Sequence, residues 1–290
     1  MVERQPPGDG LSATAVDPGA DTPRLAYSAL ERRATLTTVG VLAVLAGVAW
    51  WLTIDNASDM DGMVQGIAGV GIAMPMDMSA AVFLGMWLTM MVAMMFPTIA
   101  PIVLLHRLVM RRHSRGLAPT VSFAAGYLVI WSLVGLIPLA ALIGFREASD
   151  GADWVAPVAG AVLVVAGAYQ FTAWKQTCLR ACRSPLTFLS THDFGSGLSG
   201  TFRAGASHGL YCLGCCWALM VVLFVVGLMN LAWMAAIAVV FLAEKNWSRG
   251  RALTVVVGVA VLALGMAVLV HPELLSTIAP VSHTEMTEMG

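Results

Sequence analysis

The chain has 290 residues, 58% of them hydrophobic and 11% charged, with a net charge of −1. Soluble domains carry about 25% charged residues, so a sequence this apolar cannot cover a water-facing surface of its own. The near-neutral balance argues nothing for nucleic acid, which is not an expected partner.

No strand alternation or hairpin rhythm marks an outer-membrane barrel. Helices are the remaining way to satisfy backbone groups in lipid. The predicted fold is therefore all-α: a polytopic transmembrane helical bundle of about seven spans, with the lipid bilayer as its first partner.

Residues 1–33 are rich in Pro, Gly, Asp and Thr and read as a disordered cytoplasmic N-terminal segment. The stretch is too long and too polar for a signal-peptide n-region, so the first span is not expected to be cleaved. Apolar runs near the ~20 residues that span a bilayer follow at Leu36–Ile54, Ala80–Leu105, Thr120–Phe145, Trp154–Trp174, Ala206–Gly227 and Ala252–Val270. A shorter run, Leu231–Ala243, comes directly after Gly227-Leu228-Met229-Asn230, where a tight turn is predicted. The transmembrane helical domain is set at 34–271, and 272–290 is read as a flexible exoplasmic tail.

Positive charges sort by loop. With the N-terminus inside, the cytoplasmic side collects Arg24, Arg32 and Arg33, Arg107 to Arg115, Lys175 to Arg203, and Lys245 to Arg251. Asp55, Asp59, Asp61, Asp77, Glu147, Asp150, Asp153, Glu273, Glu285 and Glu288 fall on the other side, with Arg146 the exception. This predicts a multi-pass protein of the inner (plasma) membrane, N-terminus cytoplasmic and C-terminus exoplasmic.

The five cysteines form two groups: Cys178 and Cys182 after span four, and Cys212, Cys215 and Cys216 at the start of span five. All five are expected on or just beneath the cytoplasmic face, where disulfides are disfavoured. On a helix Cys212, Cys215 and Cys216 share a face, and Cys178 and Cys182 could complete a site if the loop folds back. Thiolates select soft ions, so the expected metal is a soft ion, copper favoured, with zinc or iron as alternatives. His208, one turn before Cys212, and His192 are candidate additional ligands. Packing as small hydrophobes is the competing reading of these cysteines.

Span two carries a second constellation. Met86, Met90 and Met94 step by four along one helical stripe. Thioethers bind Cu(I) without losing a proton, so the stripe could relay a soft ion. Core filling is the competing reading. Pro97 and Pro101 are expected to kink this span. Outside it, Met60, Met63, Met76 and Met78 lie among aspartates, and the tail holds His271, His283, Glu285, Met286, Glu288 and Met289. Glu244 and Lys245 could pair with each other or join the cysteine site. No phosphate loop, phosphorylation motif or H-E-x-x-H is present, so ATP-driven pumping is not expected.

Five stretches together resemble a bacterial family of uncharacterised, predicted metal-binding integral membrane proteins, a domain of unknown function. They are Trp87 to Pro97; Tyr169-Gln170 with Cys178 to Pro185; Tyr211 to Trp217; Gly227 to Asn230; and Glu244-Lys245. The resemblance covers roughly Ala80 to Arg251 and implies metal binding in a membrane. The leading expectation is a soft-metal-binding membrane protein in copper handling or transport. It would have Cys178, Cys182, Cys212, Cys215, Cys216 and His208 as ligands and Met86, Met90 and Met94 as relay. A metallochaperone or metalloenzyme assembly partner would follow. The rivals are a membrane thiol–disulfide oxidoreductase and a non-catalytic assembly or scaffold subunit.

Overall fold

The computed structural model describes residues 21–59, 80–110, 116–148, 154–184, 197–227 and 230–278. Among these, the regular structure is entirely helical: α1 Asp21–Asp59, α2 Ala80–Met110, α3 Ala118–Ala148, α4 Val155–Tyr169, α5 Ala173–Arg183, α6 Gly197–Val226, α7 Leu231–Asn246, α8 Gly250–Val270 and α9 Leu274–Ile278. Among the described residues, five segments are long and apolar enough to cross a membrane, and α4 and α5, bent by 61° relative to each other, make a sixth if that pair is one span. The expected seventh rests on α7. Its 16 residues reach only ~24 Å at 1.5 Å per residue, short of a hydrocarbon core of about 30 Å.

Helix α6 is the hub, packing against α3, α4, α5 and α7. Helix α2 packs on α1, α3 and α7, and α8 on α4 and α7. Close approach explains the α3–α6 pair. A Cβ on Gly205 would overlap the Phe123 carbonyl, and one on Gly126 the Phe202 carbonyl. Small residues let the two backbones meet closely.

Proline shapes the α1–α2 contact. Helix α2 continues through Pro97 and Pro101. Pro97 has no N–H, which frees the carbonyl four residues earlier. That carbonyl, Ala93, accepts from Trp50 Nε1 of α1 at 3.0 Å. The turn predicted after α6 is present: Gly227 has φ of 106°, a left-handed conformation that favours glycine. Asn230 then caps α7 by accepting from the Trp233 N–H.

Buried side chains fill the centre, among them Met91, Met94, Met95, Phe123, Tyr127, Trp131, Leu223 and Phe241. The outer helix faces are the reverse of a soluble protein's: Val44, Trp51, Leu133, Ile137, Val165, Val239 and Val256 are exposed. Helices α3 and α4 flank an apolar cavity of about 970 Å³ floored by α6 residues such as Trp217 and Phe224.

Candidate metal centre

Cys212, Cys215 and Cys216 lie on one face of α6, as their spacing requires. Their sulfurs fall within 4.8 Å of one another, and all three side chains are buried. Cys215 and Cys216 Sγ are 3.4 Å apart, and the Cys215 thiol donates to the Cys212 carbonyl at 3.2 Å.

A fourth thiol arrives from α5. Thr172 starts that helix by accepting from the Lys175 N–H, and the bend after α4 carries α5 against both α6 and α7. Cys182 Sγ comes to 3.8 Å from Cys215 Sγ. Cys178 is buried against the other face of α6, where a Cβ on Gly214 would sit 2.5 Å from its sulfur. The two α5 cysteines therefore part company, although they are four residues apart on one helix.

Two clamps hold α5 in place. Lys175 Nζ forms a buried ion pair with Glu244 Oε2 of α7 at 3.0 Å and also donates to the Gln170 amide oxygen. Arg183 donates to the Glu244 carbonyl at 3.1 Å and the Trp247 carbonyl at 2.8 Å, satisfying the open end of α7.

The neighbouring charge points elsewhere. Lys245 Nζ lies 3.1 Å from Cys212 Sγ, 3.2 Å from Thr98 Oγ1 and 3.9 Å from Met95 Sδ. Glu244 and Lys245, successive on α7, thus serve different partners rather than each other. Tyr127 adds its hydroxyl at 3.1 Å from Cys212 Sγ.

Other sequence candidates fall around this centre. Met90 and Met94 are buried in the core and Met86 is half-buried. Met95, outside the predicted stripe, is the methionine that touches Lys245. His208 is buried, its ring 6.1 Å from those of Phe123 and Tyr127; it does not belong to the cluster of mutually close donor atoms. His271 is exposed and lies 3.0 Å from Glu273. His192, Met60, Met63, Met76, Met78, His283, Glu285, Met286, Glu288 and Met289 lie outside the described residues.

The donor set fits a soft cation. A metal bonded to two thiolates at about 2.3 Å with tetrahedral angles holds the sulfurs roughly 3.8 Å apart. The observed 3.4 and 3.8 Å separations lie close to that geometry. Four thiols without carboxylate among them select soft over hard ions.

No curated protein and no solved structure matches the chain. A family model described as PpoB2, copper chaperone, matches residues 84–268. That match spans the centre and well over half of the sequence, and the chain belongs to the PpoB2 copper chaperone family.

Proposed function

We propose that this chain is an integral membrane protein that carries Cu(I) as cargo. Cys212, Cys215 and Cys216 are the principal ligands, and Cys182 is a fourth ligand delivered by α5. The observation that carries the reading is the buried cluster of three thiols within 4.8 Å, in a family described as copper chaperones. Exposed apolar side chains on the outer helix faces and the apolar cavity between α3 and α4 support lipid as the surrounding medium. Residues 34–271 form the membrane domain. With α7 as a short seventh crossing, the N-terminus is cytoplasmic and the C-terminus exoplasmic. The buried methionines of α2 form a thioether path beside the cysteines, and the recipient is a metalloenzyme in need of copper.

The experiment is metal analysis of detergent-purified, reduced protein. Wild-type protein is expected to retain copper, and the Cys212→Ser/Cys216→Ser double variant to lose it while remaining inserted. Serine keeps the volume but replaces a soft thiolate with a hard, poorly ionised donor. A reduced wild-type protein that takes up no copper, zinc or iron on titration would sink the reading. Electron exchange with no bound metal would point to thiol redox chemistry instead.

A further inference from the structure

Lys245 is almost fully buried, at 6% exposure. Its ammonium meets Cys212 Sγ, Thr98 Oγ1 and Met95 Sδ, with the Phe241 ring centroid 5.8 Å away. None of these is a carboxylate. Glu244, the nearest acid in sequence, is bound to Lys175. Among the described residues, no Asp or Glu lies within ion-pair distance of Lys245. The Lys245 ammonium group therefore borders the thiol cluster, with the Cys212 sulfur as its nearest candidate counter-charge.

Such an arrangement is unexpected in a site built only for affinity. A cation beside a cation site opposes whatever ion enters. The opposition scales with the charge of the incoming ion, so it discriminates between ions even where the ligands do not. We propose that Lys245 is a specificity-determining residue that biases the centre toward monovalent over divalent soft ions. This rests on the metal-carrying reading above and deepens it.

The magnitude follows from the geometry. An ion bonded to Cys212 at about 2.3 Å, with that sulfur 3.1 Å from Nζ, sits no more than roughly 5.4 Å from the ammonium. At an effective dielectric of about 20, the second elementary charge of a divalent ion costs on the order of a hundredfold in affinity at that distance. The thiolates attract a divalent ion more strongly than a monovalent one. That attraction is common to all proteins with the cysteines intact, so the ratio of the two affinities isolates the lysine.

The test is a competition between Cu(I), held reduced, and Zn(II) for the detergent-purified protein, read as bound copper to bound zinc. Lys245→Leu removes the charge without adding a donor. Lys245→Gln keeps a polar side chain of similar reach at the same position without the charge. Both are expected to shift the ratio toward zinc by at least about tenfold, a conservative fraction of the Coulomb cost. Lys245→Arg keeps the charge and is expected to keep the wild-type ratio, which a merely structural lysine does not predict. The Lys245→Gln variant preserves the test if Lys245→Leu does not fold. A wild-type protein that binds copper, with the same ratio in all variants, overturns the role of Lys245 alone. A wild-type protein that takes up neither ion overturns the metal-carrying reading and this role with it.

Discussion

Cys182 at the end of α5 and Cys215 within α6 are 33 positions apart in sequence, and their sulfurs lie 3.8 Å apart. Cys178, one turn earlier on the same helix, packs instead on Gly214. The two cysteines should then behave differently. Cys182→Ser is expected to weaken copper retention by at least about tenfold, roughly 1.4 kcal/mol, without abolishing it, because three sulfurs remain. Cys178→Ser is expected to leave retention unchanged. Challenge with a competing copper chelator measures both.

The clamp on α5 makes a second prediction. Lys175→Met leaves the Glu244 carboxylate buried without its partner, which costs about 3–5 kcal/mol. Adding Glu244→Leu removes the orphaned charge and should restore most of that loss. Unfolding in detergent, run as a double-mutant cycle, checks the sign of the coupling. Equal destabilisation by the single and double variants would show that the pair is not what holds α5.

Glycines at two positions should respond in opposite ways. Gly205→Ala forces α3 and α6 apart, because the added methyl overlaps the Phe123 backbone. A loss of about 1–3 kcal/mol is expected. Gly40 on α1 faces open space, with nothing within 4 Å of where a Cβ would stand. Gly40→Ala should gain roughly 0.5–1 kcal/mol of helix stability. Thermal denaturation of the two variants side by side separates a packing role from a helix-propensity role.

The Trp50 indole is predicted to anchor α1. Trp50→Phe keeps most of the aromatic surface but leaves the Ala93 carbonyl without that donor, a loss of about 0.5–1.5 kcal/mol. Pro97→Ala restores an N–H that can compete for the same carbonyl. In both variants α1 should become more accessible to proteolysis than α2 in the same preparation.

Much of the helical layout was legible in the sequence, because hydropathy acts locally. The apolar runs marked the five long candidates, and Gly227 with Asn230 marked the break between α6 and α7. The spacing of Cys212, Cys215 and Cys216 fixed a common face, since helical periodicity alone decides it. What was hidden depends on contacts between helices. Tyr127 looked like any aromatic residue in an apolar span, and Thr98 like a residue between two prolines. Met95 lay just off the stripe drawn through Met86, Met90 and Met94, yet it is the methionine beside Lys245. The opposite fates of Cys178 and Cys182 depend on how α5 crosses α6, which the bend sets and no local pattern encodes.

The adjacent pair Glu244-Lys245 has a further effect on α7. That helix is apolar around its whole circumference from Leu231 to Ala243, so in lipid little would distinguish one rotation about its axis from another. Successive helical residues project about 100° apart, and here they bind Lys175 on one side and Cys212 on the other. The two charges together index the helix as a key is indexed by two cuts. Removing one residue between Asn230 and Glu244 would turn both charges away from their partners at once. The expected result is a helix of nearly the same length that is locked in no single orientation.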